Sequence, residues 1–238
     1  MKKIILTCEH AGNNVPKAYK NLFKNHSAAL NTHRGLDIGA LAIAKDLQKT
    51  LKTPLHYSEV TRLLVDLNRF KRSKSLFSEM TKSLSRSEKK KILTKYYDPH
   101  WNQIEKIFTR ASAALTNQLV HVAVHSMTDN INGQVRKMQL ALLYDPKRPS
   151  EKKLCELWIK ELKKQFPNYI IAKNNPYKGT SEGVTCYYRK KYSQKFYTGI
   201  ELEMNQALLM GFTPTERKSF SRKLAVSLQH AVYRIKST

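Results

Sequence analysis

Residues 119 to 126, Leu-Val-His-Val-Ala-Val-His-Ser, form an apolar run rich in branched side chains that breaks off in a polar pair. Valine is stiff in a helix but packs well on a pleated sheet, so the run predicts a strand. The same design recurs along the chain. Residues 3 to 8 read as a short buried strand, residues 139 to 145 and 168 to 174 as two more, and residues 197 to 206 as another. One or two strands are expected between Pro54 and Asn68. The segments between them repeat at the helical period. In residues 33 to 51 the apolar positions are 36, 40, 41, 43, 44, 47 and 51. Asp98 and Pro99 predict an N-cap and first turn for a helix to about residue 116, and Thr213 with Pro214 does the same for a helix to about 235. Residues 150 to 165 and the basic stretch up to residue 95 complete the helical set. Strands alternating with helices require a mostly parallel sheet covered on both faces, an α/β domain of three layers.

At 238 residues, with 41% hydrophobic residues and only 8 Gly and 8 Pro, the chain can bury one sizeable core, and we expect a single domain over residues 1–238. The apolar run after Met1-Lys2-Lys3 covers only Ile4 to Leu6, too short for a signal peptide. No run reaches the roughly eighteen apolar residues of a spanning helix, so no membrane is expected. The three cysteines, odd in number and far apart, point to a reducing cytoplasm.

The net charge of +25, from 43 Lys and Arg against 18 Asp and Glu, raises nucleic acid or an anionic surface as a rival partner. Much of the excess lies in residues 71 to 95, where lysines share the segment with apolar residues at helical spacing. That pattern reads as solvated helix faces. With no zinc-finger or RNA-binding sheet motif, a nucleic-acid partner is not expected.

In open parallel sheets ligands bind beyond the carboxyl ends of the strands, which gives weight to polar clusters that directly follow them. Four stand out: Glu9-His10, Asp66-Asn68-Arg69, His125-Ser126, and Glu201-Glu203-Asn205. His10 and His125 are the best-placed metal ligands, since imidazole is the commonest nitrogen donor to zinc and a catalytic site needs three protein ligands. The third donor stands open between Asp37, Glu9 and Asn13. An amide is a weak zinc ligand, which favours the carboxylates, and Asp37 is the first choice. His33 and Asp37, four apart on a predicted helix face, could point together at the site. Glu203 is the natural general base, able to take a proton from water and hand it to a leaving amine. Arg62 and Arg69 suit a substrate carboxylate, which a guanidinium holds through paired hydrogen bonds.

Seven segments in order, Cys8 to Pro16, His33 to Ala40, Thr61 to Arg69, Val124-His125-Ser126, Ala141 to Pro146, Asn174 to Gly179 and Ile200 to Met210, resemble the N-formylglutamate amidohydrolase family. The resemblance implies a zinc-exopeptidase-like fold, a zinc ion and a small-molecule N-acyl amino acid substrate. It also implies that Asn68 and Arg69 bind the substrate's α-carboxylate, that His10 and His125 hold the metal, and that Glu203 rather than Glu201 is catalytic. Asn175, Pro176 and Tyr177 would line the substrate pocket. Two other readings compete: a zinc amidase acting on a larger peptide or cell-wall fragment, and a basic non-enzymatic binder.

Overall fold

The computed structural model describes residues 2–113, 118–131 and 133–235. Its strands are β1 (Lys3–Cys8), β2 (Leu55–Tyr57), β3 (Leu119–Met127), β4 (Asn130–Ile131), β5 (Gln134–Val135), β6 (Leu140–Leu143), β7 (Ile171–Lys173) and β8 (Tyr197–Asn205). Its α-helices are α1 (Ser27–Leu30), α2 (Ala40–Leu51), α3 (Arg86–Ile92), α4 (Asp98–Ser112), α5 (Pro149–Gln165), α6 (Val184–Lys191), α7 (Gln206–Met210) and α8 (Pro214–Arg234). A six-stranded sheet runs in the order β2-β1-β3-β8-β6-β7, and β4 and β5 form a separate hairpin. The strands β2, β1, β3 and β8 are parallel; β6 pairs antiparallel with β8, and β7 runs with β6. This is the mixed, mostly parallel sheet with helices on both faces that the alternating pattern predicts.

Every residue of β3 is buried, because α2, α5 and α8 cover one face of the sheet and α4 and α6 the other. Fully burying a side chain of the size of Leu47 or Phe108 contributes about 1.5–3 kcal/mol, so the two faces together dominate the stability. The last helix begins as its sequence predicts: Thr213 accepts from the Glu216 amide, Glu216 reaches back to the Thr213 amide, and Pro214 fills the first turn. No helix of the described residues is long and apolar enough to cross a membrane.

Three elements differ from the sequence reading, each for a local reason. The helix expected from residue 33 starts at Ala40, because Gly39 takes a left-handed conformation (φ 81) that ends any helix approaching from before it. His33 and Asp37 therefore do not share a helix face. Of the one or two strands expected between Pro54 and Asn68 one forms, Leu55–Tyr57; the Arg62 to Leu64 run before Asp66 is a turn and not a strand. Leu63, Leu64, Val65 and Leu67 are all buried in a separate apolar cluster with Phe23, Leu76 and Ile92, and hydroxyls serve the irregular backbone there. Thr81 donates to the Leu64 carbonyl at 3.2 Å, and Thr61 to the Gly35 carbonyl at 3.1 Å. The basic stretch to residue 95 is mostly turns until Ser85 caps α3 through the Glu88 amide.

Asp98 is not a cap. The chain runs from α3 through a π-helical turn, Leu93–Tyr97, straight into α4, with the Asp98 amide bonded to the Leu93 carbonyl. The wider turn accommodates Pro99, which has no amide proton to give to an ordinary helical partner. The predicted extension of this helix over residues 114 to 116 lies outside the described residues.

Candidate active site

The site forms where β1, β3 and β8 end together. After Cys8 the chain leaves the sheet edge and runs beside residues 58 to 60, with the Ala11 amide bonded to the Ser58 carbonyl and the Asn14 amide to the Glu59 carbonyl. Glu9 and His10 are thereby buried at the top of the sheet. The His10 carbonyl accepts the Asp37 amide at 2.9 Å, which fixes the turn before α2 over the strand ends. From the other side, Ser126 on β3 donates its hydroxyl to the Ile38 carbonyl at 2.8 Å. His125 on β3 and Glu203 on β8 are register partners of neighbouring parallel strands, so their side chains leave the same face side by side.

At the centre lies the Asp37 carboxylate. His125 Nδ1 is 2.7 Å from Asp37 Oδ2, and His10 Nδ1 is 3.4 Å from the same oxygen. The outer nitrogen of each imidazole faces another carboxylate: His10 Nε2 lies 2.7 Å from Asp66 Oδ1, and His125 Nε2 lies 3.2 Å from Glu9 Oε2. Arg62 bridges two of the acids, 2.9 Å from Asp66 and 3.6 Å from Asp37. Asn13, by contrast, turns its amide away to the Leu30 carbonyl and Asn31.

Charge accounts for the ionisation of the cluster. Burial pushes the Asp37 carboxyl up, but His10 and His125 outweigh it and hold the group well below the usual carboxylate range. Burial also raises Glu9, and the hydrogen bond and charge of His125 more than offset it, bringing it to about 2. His125 itself is drawn well above the ordinary imidazole value: burial opposes its charge, but Asp37 and Glu9 grip it from both sides. Glu203 goes the other way, to about 8, because burial disfavours its charge more than His125 and Arg62 favour it, and Asp37 and Glu201 repel it. Its Oε2 is buried without a partner.

Among the described residues, His10, Asp37 and His125 are the group whose donor atoms converge as a metal would require, all within 4.8 Å of one another. The fit to a cation rests on two observations. His10 Nδ1 is buried without a hydrogen-bond partner, 3.4 Å from the Asp37 oxygen, while Nε2 is held by Asp66. Four buried carboxylates, Glu9, Asp37, Asp66 and Glu203, also meet here against the Arg62 guanidinium and two imidazoles. Two nitrogens and one oxygen, each imidazole backed by a carboxylate, are a donor set that zinc accepts.

A cavity of about 420 Å³ opens over this cluster, lined in part by Arg62, Asn68, Arg69, Tyr177 and Glu203. Arg69 is tied to the backbone, its Nη1 donating to the Asn68 and Glu182 carbonyls at 2.9 and 3.1 Å, and it forms no ion pair among the described residues. Tyr177 stands at the mouth, where its hydroxyl accepts from Arg136 at 3.0 Å. An exposed pair, Arg34 with Glu79, and His33 also line the cavity. Asn175 is exposed and is not among the lining residues. Sequence reasoning assigned no role to Asp66 or to the contact of Glu9 with His125. Asp66 stands in the cluster with Asn68 and Arg69, but nothing in its own segment shows that it crosses 56 positions to reach His10.

The fold and the cluster define an α/β protein with a strand-end site built from carboxylates and imidazoles. The chain belongs to the N-formylglutamate amidohydrolase family, whose pattern it matches over residues 2–210, and is thus an amidohydrolase by family. In structure it is similar to the gene product Atu2144 from Agrobacterium tumefaciens, with a TM-score of 0.85 and 23% identity over 99% of this chain and 92% of that one. It is also similar to the N-formylglutamate amidohydrolase from Ralstonia eutropha JMP134, with a TM-score of 0.73 and 15% identity over 100% of this chain and 96% of the other. No curated protein sequence matches.

Proposed function

We propose that residues 1–238 act as one metal-dependent amidohydrolase domain that cleaves the amide of an N-formyl or similar small N-acyl amino acid. The observation that carries the reading is the convergence of the His10, Asp37 and His125 donors with the Glu203 carboxyl set beside His125 on the neighbouring strand. A zinc ion held by those three side chains would supply Lewis acidity to the acyl carbonyl and to the attacking water.

The chain's own residues do the rest. Glu203 accepts a proton as water adds to the acyl carbon and delivers it to the amide nitrogen as the C–N bond breaks, giving a carboxylic acid, such as formate, and a free amino acid. Glu203 has to be ionised for the first of these steps, and a cation held by the neighbouring His10, Asp37 and His125 would favour its charge and lower its titration from the metal-free value of about 8. Asp66 and Glu9 keep the two imidazoles oriented through their outer nitrogens. Asn68 and Arg69 bind the α-carboxylate, with Arg62 adding positive charge behind it and Tyr177 covering the mouth. A cavity of about 420 Å³ has room for a small acylated amino acid.

A panel of N-formyl, N-acetyl and N-succinyl amino acids, assayed for free amine with the zinc-loaded protein, tests the reading. Release of amine from at least one member, lost on chelation and restored by zinc, is the expected result. No release from any member at full zinc occupancy would overturn it.

A further inference from the structure

The segment Gly179-Thr180-Ser181-Glu182-Gly183, between Tyr177 and α6, takes no part in the chemistry above, yet its end is bound to the carboxylate-reading pair at every turn. The Glu182 carbonyl accepts from Arg69 Nη1 at 3.1 Å. The Glu182 carboxylate accepts from the Phe70 amide at 2.8 Å and the Ser73 hydroxyl at 2.8 Å, so one residue grips both the Arg69 side chain and the backbone that follows it. The next amide but one, Val184 N–H, donates to Asn68 Oδ1 at 2.8 Å. That bond fixes which way the buried Asn68 amide faces: its oxygen is taken, and its NH2 is turned to the site, 3.5 Å from His125 Nε2. Thr185 then donates its hydroxyl to Glu201, another wall of the cavity.

Gly183 explains its own presence. Its backbone is extended (φ 170), a conformation open to any residue, so chain conformation does not demand glycine. Space does: a Cβ there would stand 2.7 Å from Asn68 Oδ1. The segment is also pinned to the frame. Arg189 of α6 pairs with the buried Glu151 at 2.9 Å, donates to the Gly199 carbonyl of β8 at 3.0 Å, and bonds the Gly179 carbonyl.

We propose that Glu182, Gly183 and Val184 form a positioning clamp that presents the Asn68 amide and the Arg69 guanidinium to substrate, and so sets the preference for substrates bearing a free carboxylate. The proposal rests on the assignment of Asn68 and Arg69 to the α-carboxylate. Neither Glu182 nor Gly183 touches the reacting atoms.

Glu182→Ala and Gly183→Ala test it with two substrates, an N-formyl amino acid and the same compound with a carboxamide in place of the carboxylate. Losing a hydrogen bond that organises a charged reader is expected to raise KM for the carboxylate substrate roughly tenfold or more, with kcat changed far less and KM for the carboxamide unmoved. Glu182→Gln, which keeps one acceptor oxygen, should recover part of the loss. The 15N–1H signal of the Arg69 guanidinium, recorded on the same proteins without substrate, should shift and broaden in Glu182→Ala. A fall in kcat of equal size on both substrates, or an Arg69 signal identical to wild type, would overturn the clamp. If the wild type hydrolyses nothing, the reaction assigned above fails, and the Arg69 signal still decides the clamp. Should Gly183→Ala not fold, the Glu182 variants carry the test alone.

Discussion

At Glu203 a carboxyl is buried between two other negative groups and an imidazole, and the balance leaves it protonated to about 8. In an unfolded chain a glutamate releases its proton near 4.5. Between those values the folded state holds a proton that the unfolded state has lost, so this residue makes the metal-free protein less stable as pH rises from about 4.5 to about 8. Glu203→Gln removes that slope. The metal-free variant is expected to melt higher than wild type at pH 8, with the gap closing toward pH 5; parallel melting profiles would show that Glu203 ionises normally. The residue scale is also where the sequence says most and then stops. His10, His125 and Glu203 were legible because each stands at or just past the carboxyl end of an apolar strand, where such sites form. The partnership of His10 with Asp66 was not, since a contact between residues 56 apart leaves no trace in either segment.

Among the elements, those with strong local signals match their sequence: β1 spans the predicted residues 3 to 8, and α8 opens on the predicted Thr213 and Pro214. The mismatches fall where apolar content does not fix a period. Leu63-Leu64-Val65 is apolar enough for a strand, yet it packs all its side chains into one cluster on irregular backbone, with Ser78 and Thr81 hydroxyls serving the carbonyls a sheet would have paired. Residues 36 to 39 carry the helical period, but the left-handed Gly39 breaks it, and that break frees Asp37 to face the two imidazoles. Gly39→Ala forces a side chain into a left-handed conformation, with its Cβ 2.9 Å from the Leu209 side chain. It should cost about 1–2 kcal/mol in chemical denaturation from the backbone alone, and should weaken zinc binding because Asp37 shifts with the turn. An alanine variant as stable as wild type, binding zinc equally well, would show that the turn does not depend on Gly39.

Over the whole molecule, the α/β class and the location of the site follow from one rule, strands alternating with helices and chemistry at the strand ends. The net charge of +25 obscured this more than it helped. Seven of the acids, Glu9, Asp37, Asp66, Glu79, Glu182, Glu201 and Glu203, stand in or around the cavity, where Arg34, Arg62, Arg69 and Lys178 also line the wall. A basic chain is thus compatible with a site that is itself rich in carboxylates and suited to a cation. The most direct measurement is the turnover of an N-formyl amino acid by wild type and Glu203→Gln at equal, full zinc occupancy. A general base at this position predicts a kcat about 10²–10⁴-fold lower in the variant with unchanged zinc content; equal turnover by the two proteins would contradict the account.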